Sequence, residues 1–497
     1  MWIREKIWNE AGPAERRLAG LAVNPAAPVS LLLRLLAEGP AVARMALCGD
    51  RDLPVTVVDK LLTHPDRRAR AVFASSPHAD PAQRARLVDD PDFIVKGHLA
   101  DGPASRWVAL SRPLPDPTVV HMINTYDGEL VWGLYRQISA GLRRAMPTHP
   151  DAKVRLWGVG SWQDLSAEVR AALLADPDPD VRASAEQSAR YEDPQWNERE
   201  LPEHSGHTRT HLLMNRPVSR AVVDSVLTTP VGKEERVMLA YNPSLPPDVV
   251  VLLAADPDPK VRDRIACRPD LAPAERRALA VDPDPEVRLA LSTHPALTES
   301  ERARIDYEVP EGGDFGPCYQ PYPPRDPAAV RRDALSAHPL LRRDAAGDQL
   351  LPPDLLDLLI ADPDLGVRIT LAQNHPDAPA GFLLRSFLEY TGRYRTELLT
   401  RPHFPTVGLA AYADHEDPAV RALAARDPEL APDLADRLTR DPDPEVRGAL
   451  ARHPNLPAAR IVELLEDGEL ACHAAANPAL DPALMEELVN AFVSNAC

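Results

Sequence analysis

Several side chains recur or cluster at spacings that could do chemistry. His207 and His211 stand four apart, which on a helix puts both imidazoles on one side, as zinc-binding pairs do. His204, Asp193 or Glu203 could add a ligand, but the Glu of an H-E-x-x-H motif is missing and the segment is polar. The carboxylate pairs Asp256/Asp258, Asp282/Asp284 and Asp441/Asp443 have the composition of an acid–base site. They recur too often for one site, and each second Asp precedes proline, where a carboxylate caps a helix start. Histidines before proline (His294, His338, His375, His453) alternate at that position with Arg and Asn, which reads as a turn role. Helices in neighbouring units pack about 10 Å apart, too far for successive histidines to share a metal.

The most regular charged feature is an arginine column. Arg155, Arg182, Arg262, Arg288, Arg331, Arg368, Arg421 and Arg447 each follow Val, and Arg44 and Arg70 follow Ala. Such a ladder could grip carboxylates or phosphates along an extended partner. The alternative, preferred here, is that each Arg pairs with Asp of its own or a neighbouring turn and ties unit to unit. Asp258, Asp284 and Asp443 belong to the same structural set. All seven Trp fall in the first 200 residues. Trp107, Trp132, Trp157 and Trp162 either line a binding groove or plug gaps where the repeat is irregular.

The elements that must position these groups follow from one phrase. Asp-Pro-Asp-Pro-x-Val-Arg occurs at Asp256 and again at Asp282, 26 residues later. Each unit reads as two short helices. One runs from about Pro259 to Cys267 with Val261 and Ile265 on one face; Arg268-Pro269 ends it, because the residue before proline avoids helical angles. The other starts at a proline, as at Pro246, Pro273, Pro353, Pro432, Pro457 and Pro482. Helices of about nine residues are not stable alone, so stacking must hold them. The length predicts 17 or 18 units of roughly 26 residues.

These residues resemble the bacterial leucine-rich repeat variant family, with its V-R-x-x-[LVI]-A-x-[NHR]-P-x-L-P pattern followed by a Leu pair and DPD. HEAT-like repeats are the nearest alternative. The resemblance implies an all-α, right-handed α-solenoid of two helical layers, one of them either α or 3₁₀. Some members carry a cysteine-ligated iron–sulfur cluster ahead of the repeats; no cysteine precedes Cys48 here, so that feature is not carried over.

Three segments depart from the phrase: 98–150, 190–211, and a Gly/Pro/Tyr-rich stretch at 305–325. The expected organisation is a repeat array over 1–304, an inserted loop at 305–325, and the same array continuing over 326–497. Insertions in repeat arrays project from one face and often contact partners, which makes Tyr307, Phe315, Tyr319 and Tyr322 candidates alongside the tryptophans.

A net charge of −18 argues against general affinity for nucleic acid. Only six of the 56 basic residues are Lys, a bias toward fixed, fork-like ion pairs. Five scattered cysteines without C-x-x-C spacing imply neither a disulfide framework nor a cysteine-built cofactor site. No segment reads as a signal peptide or a membrane span, so the expected setting is cytoplasmic. No phosphate loop, nucleophile elbow or Cys–His signature is present, and no cofactor is implied. The expected function is a non-catalytic scaffold or adaptor that binds another protein on a helical-repeat surface. The alternatives are a HEAT-like-repeat enzyme of the DNA glycosylase type, or a small-molecule or metal-binding protein centred on His204–His211.

Overall fold

The computed structural model describes residues 8–103, 112–126, 133–204, 206–228, 233–310, 326–349 and 351–496. Among them the secondary structure is entirely helical, chiefly α with short 3₁₀ pieces such as Val159–Asp164, Arg395–Thr400 and Ala422–Arg426.

The central repeat shows why these residues form these elements. Asp258 sits in extended backbone and accepts the N–H of Lys260, and Pro259 takes the first helical position of Pro259–Ala266. The helix stops before Arg268-Pro269, and the chain restarts as Pro273–Leu279 behind another proline. Val261, Ile265, Ala266, Leu271 and Leu279 are buried in one cluster with Val287 and Leu291 of the following helix, Pro285–Ser292. Eight-residue helices are well below the ~12–15 residues that stand alone, so this shared core holds them.

The chain divides into two compact units. One is Ala145–His403. Within it, both flanks of residues 311–325 belong to the same packing. Glu299 accepts from Ser336 Oγ at 2.9 Å and from the Ala337 N–H at 3.0 Å, and Tyr307 stacks on His338 with ring centroids 4.5 Å apart.

The other compact unit joins Met1–Arg144 to Phe404–Cys497, the two ends of the chain. Helix Pro13–Val23 packs on Ala471–Ala475, and both Pro13–Val23 and Val29–Glu38 touch Pro482–Ala496. Gly20 lies so close to this partner that a Cβ there would enter the Cys472 carbonyl oxygen and approach the Ala475 Cβ to 2.9 Å. A glycine inside a helix weakens it by about 1 kcal/mol relative to Ala, and here the close approach requires one.

Candidate functional site

The arginine column does two things at once. Arg262 makes a fork on Asp282, twenty residues ahead, through Nε at 2.7 Å and Nη2 at 2.8 Å. Its Nη1 donates to the Asp256 carbonyl at 2.7 Å, in the turn that opens its own helix. Arg155 repeats this with Asp176 and the His149 carbonyl, and Arg421 with Asp441 and the His415 carbonyl. Both carboxylates, Asp176 and Asp441, are held below the ordinary range, first by the arginine hydrogen bond. The first Asp of each turn also accepts the backbone N–H of the second, as Asp256 does from Asp258 at 2.8 Å. Asp284 and Asp443 then cap their helices through the N–H groups of Glu286 and Glu445, both at 2.9 Å.

Other members of the column keep the carbonyl and change the carboxylate. Arg288 holds the Asp282 carbonyl at 2.7 Å and pairs with Asp306; Arg368 holds the Asp362 carbonyl and Glu389; Arg447 holds the Asp441 carbonyl and Glu469. Arg182 reaches the Asp176 carbonyl. Arg331 instead forms an exposed fork with Asp354, so the column runs through Arg342, which binds Asp362 at 2.6 Å and the Ser336 carbonyl at 3.1 Å. Arg209 and Arg236 belong to it too, on Glu235 and Asp256. The usable signal for Arg236 and Arg342 is an Asp one fork's reach, twenty residues, downstream rather than a preceding Val.

The residue before proline forms a second ladder. Asn242 Nδ2 donates to the Arg216 carbonyl at 2.6 Å and the Leu213 carbonyl at 2.8 Å. Arg268 reaches the Asn242 carbonyl; His294 Nε2 meets the Arg268 carbonyl, and His453 Nε2 the Asp427 carbonyl, each at 2.8 Å. Asn477 bonds the Ala451 and His453 carbonyls, both at 2.9 Å. The next rung lies at the other end of the chain. Asn24 Nδ2 bonds the Ala475 carbonyl at 2.8 Å and the Asn477 carbonyl at 2.6 Å.

His338 departs from that column, because it occupies the cap position. Its Nδ1 accepts the Leu340 N–H at 3.1 Å, and its Nε2 lies 2.7 Å from Ser292 Oγ. A buried Ser–His pair resembles a nucleophile with its base. The tautomer says otherwise: with Nδ1 accepting, Nε2 carries the proton and donates to Ser292, whose own proton goes to the Leu289 carbonyl at 2.6 Å. The imidazole therefore cannot take the serine proton, and both side chains are shut off from solvent. Burial, with Arg302 next, pushes the His338 pKa down to about 4, so the ring is neutral.

His207 opens helix His207–Asn215 and His211 lies one turn on; both, like His204, are exposed, and His211 Nδ1 contacts Asn215. Among the described residues no three His, Cys, Asp or Glu side chains gather in a way that could hold a metal. Trp162 is buried against Val159, Leu173, Val181 and Ala185, with Nε1 donating to Glu192 at 3.2 Å and Arg170 over its ring. Trp157 is half-buried, as is Tyr307 in its stack. Trp107, Trp132, Phe315, Tyr319 and Tyr322 lie outside the described residues.

Residues 234–258 match the family model described as leucine rich repeat variant. This segment is similar to a leucine rich repeat variant unit. The matched span holds Arg236, the Asn242 rung, and the Asp256 and Asp258 of the turn, which are the working parts of both ladders. No curated protein matches the chain. Among solved structures, the crystal structure of an engineered protein aligns over 97% of this chain and 99% of its own at 15% identity, with a TM-score of 0.11, too low to bear on the arrangement of variant repeats. Among the described residues no helix is long and apolar enough to cross a membrane.

Proposed function

We propose that within each compact unit the variant repeats stack as a right-handed α-solenoid, and that the protein is a non-catalytic scaffold binding another protein on the surface the stack presents. The resemblance supplies the handedness, and the chain length with its 26-residue period supplies the count of 17 or 18 repeats. In this reading 1–304 and 326–497 are parts of one array and 305–325 is an insertion into it. One observation carries the functional reading: the recurrent reactive-looking groups are engaged in holding repeats together. The arginines fork onto the next turn, the aspartates cap, and the Ser292–His338 pair has its protons in the wrong places for catalysis.

What is left for recognition is the variable surface. Val251 and Leu252 are half exposed on helix Pro247–Ala254, as is Leu358 on Pro353–Ile360, amid an acidic background that suits a partner with basic residues around an apolar patch. The test is affinity purification of the full chain from its native cell, followed by cross-linking and mass spectrometry. A stoichiometric protein cross-linked at helices of this kind supports the reading. Recovery of the chain alone, with tight retention of DNA at low salt, sinks it.

A further inference from the structure

We propose that the two ends of the chain form an exchangeable interaction surface, through which the first repeat of one copy docks on the last repeat of a second copy.

The contact between the ends has the anatomy of a repeat-to-repeat step. Asn24 bonds the Ala475 and Asn477 carbonyls as Asn477 bonds the Ala451 and His453 carbonyls. The ladder then continues into the N-terminal segment, where Arg51 donates to the Asn24 carbonyl at 2.9 Å and Ser76 to the Gly49 carbonyl at 3.0 Å. Between Asn242, Arg268 and His294 each rung is joined to the next by 26 residues of chain, so no second copy can compete for it. The bonds of Asn24 join residues 451 and 453 apart in sequence. No short linker enforces that step, and its two faces are complementary rather than identical. Such a heterologous pair can be satisfied by another copy's end as well as by its own.

Closure within one chain is favoured at low concentration, because the tethered end is present at high effective concentration. Opening releases both faces together, and exchange between two copies restores every bond in two equivalent seams. The fit is demanding: Gly20 admits no side chain against Cys472, so only a repeat with the same close approach can dock. The rim is ionic and open to water. Arg17 pairs with Glu466 at 3.0 Å and Arg34 with Glu486 at 2.7 Å, with the Glu466 side chain 76% exposed.

The rim supplies the test, in the full-length chain. One variant carries Arg17→Glu and Arg34→Glu; a second carries Glu466→Arg and Glu486→Arg. Each alone has a mismatched seam, whereas a two-chain exchange between them matches charge at both seams. Light scattering after size exclusion is expected to show each variant monomeric and their equimolar mixture as a 1:1 dimer. Adding Gly20→Leu to the first variant is expected to abolish that dimer. A mixture that stays monomeric overturns the proposal, provided circular dichroism shows both variants helical.

Should either variant fail to fold, Arg34→Lys keeps the charge and allows a zero-length carbodiimide cross-link to Glu486. Equal amounts of ¹⁴N- and ¹⁵N-labelled R34K chain are mixed at high concentration, passed through mild urea and returned to buffer before cross-linking. Peptides joining the substituted position to Glu486 with mixed isotopes demonstrate exchange between copies. Peptides of uniform isotope alone show that the seam closes only within a chain, and refute it.

Discussion

The step from Arg262 to Asp282 and the step from Asn477 to Asn24 each carry a side-chain-to-carbonyl rung, His294 on Arg268 in one and Asn24 on Asn477 in the other, and differ in their charges. At the internal step the fork is nearly dry, with Arg262 and Asp282 side chains 12% and 6% exposed, and the hydrogen bond to Asp282 raises the Arg262 pKa further. At the seam the pairs are wetter, with the side chains of Arg17 and Glu466 19% and 76% exposed and those of Arg34 and Glu486 31% and 36%. The column position corresponding to Arg447 in the last repeat is His473, whose ring lies against Gly448. A dry fork strongly penalises the loss of either partner, whereas a wet pair gives little and is screened by salt. Internal steps with a dry fork are therefore built to persist, and the seam, which has none, is built to part.

The largest expected effect is at the dry fork. Asp282→Ala leaves a nearly buried guanidinium without its carboxylate and removes the acceptor of the Asp284 N–H, which should lower stability by about 2–4 kcal/mol in urea unfolding followed by far-UV circular dichroism. An unchanged midpoint would erase the distinction between dry and wet pairs.

Next come the rungs, where one substitution made at two places separates the two regions. Asn242→Ala strips the Leu213 and Arg216 carbonyls of their donor inside a core, at a cost of about 1–3 kcal/mol in the same assay. Asn24→Ala removes the same bonds at the seam. It should leave the unfolding midpoint nearly in place and instead raise amide exchange in Pro13–Val23 and Ala471–Ala475. Equal loss of global stability from both changes would mean that the seam is an ordinary step.

Acid should strike both regions alike. His338 and His473 are each pushed down to about 4 in the folded chain, chiefly by burial, whereas histidine in an unfolded chain titrates near 6.5. Between about pH 6.5 and 4 the unfolded state binds protons that the folded state refuses, so stability falls as pH falls through that window. Thermal midpoints measured across it should decline, and a flat profile would contradict the neutral, buried assignment. Salt should discriminate where pH does not. Raising NaCl from about 0.1 to 1 M should loosen the seam by no more than ~1 kcal/mol for its two partly exposed pairs, seen as faster exchange at the two ends, with the dry-fork helix Pro259–Ala266 unmoved.

Much of the architecture is legible in the sequence because its signals are local. Asp258-Pro259 and Asp284-Pro285 declare helix starts with the residues that make them, and Arg268-Pro269 declares an end. Legibility fails where a signal changes identity while keeping its job. Ser336-Ala337-His338-Pro339 performs the work of an Asp-Pro-Asp-Pro turn, with His338 as the cap, so the neighbouring Val330-Arg331 resembles the column more than Leu341-Arg342 does. Arg209 and Arg236 are hidden likewise behind Thr208 and Glu235. The seam fails to show for another reason: Asn24-Pro25 and Asn477-Pro478 are recognisable rungs, but nothing local in a sequence says that a last rung bonds a first one.

The reach of the arginine fork carries a consequence for how such a chain could change its length. In the regular units the fork connects a helix to the turn twenty residues ahead, as Arg262 and Arg421 do. Copying a regular 26-residue unit, such as 256–281, in frame therefore copies one complete fork and one complete rung, and deleting it removes one of each. Every remaining junction still finds its mate. Between its ends the array can grow or shrink by whole repeats without a compensating substitution at the neighbouring forks.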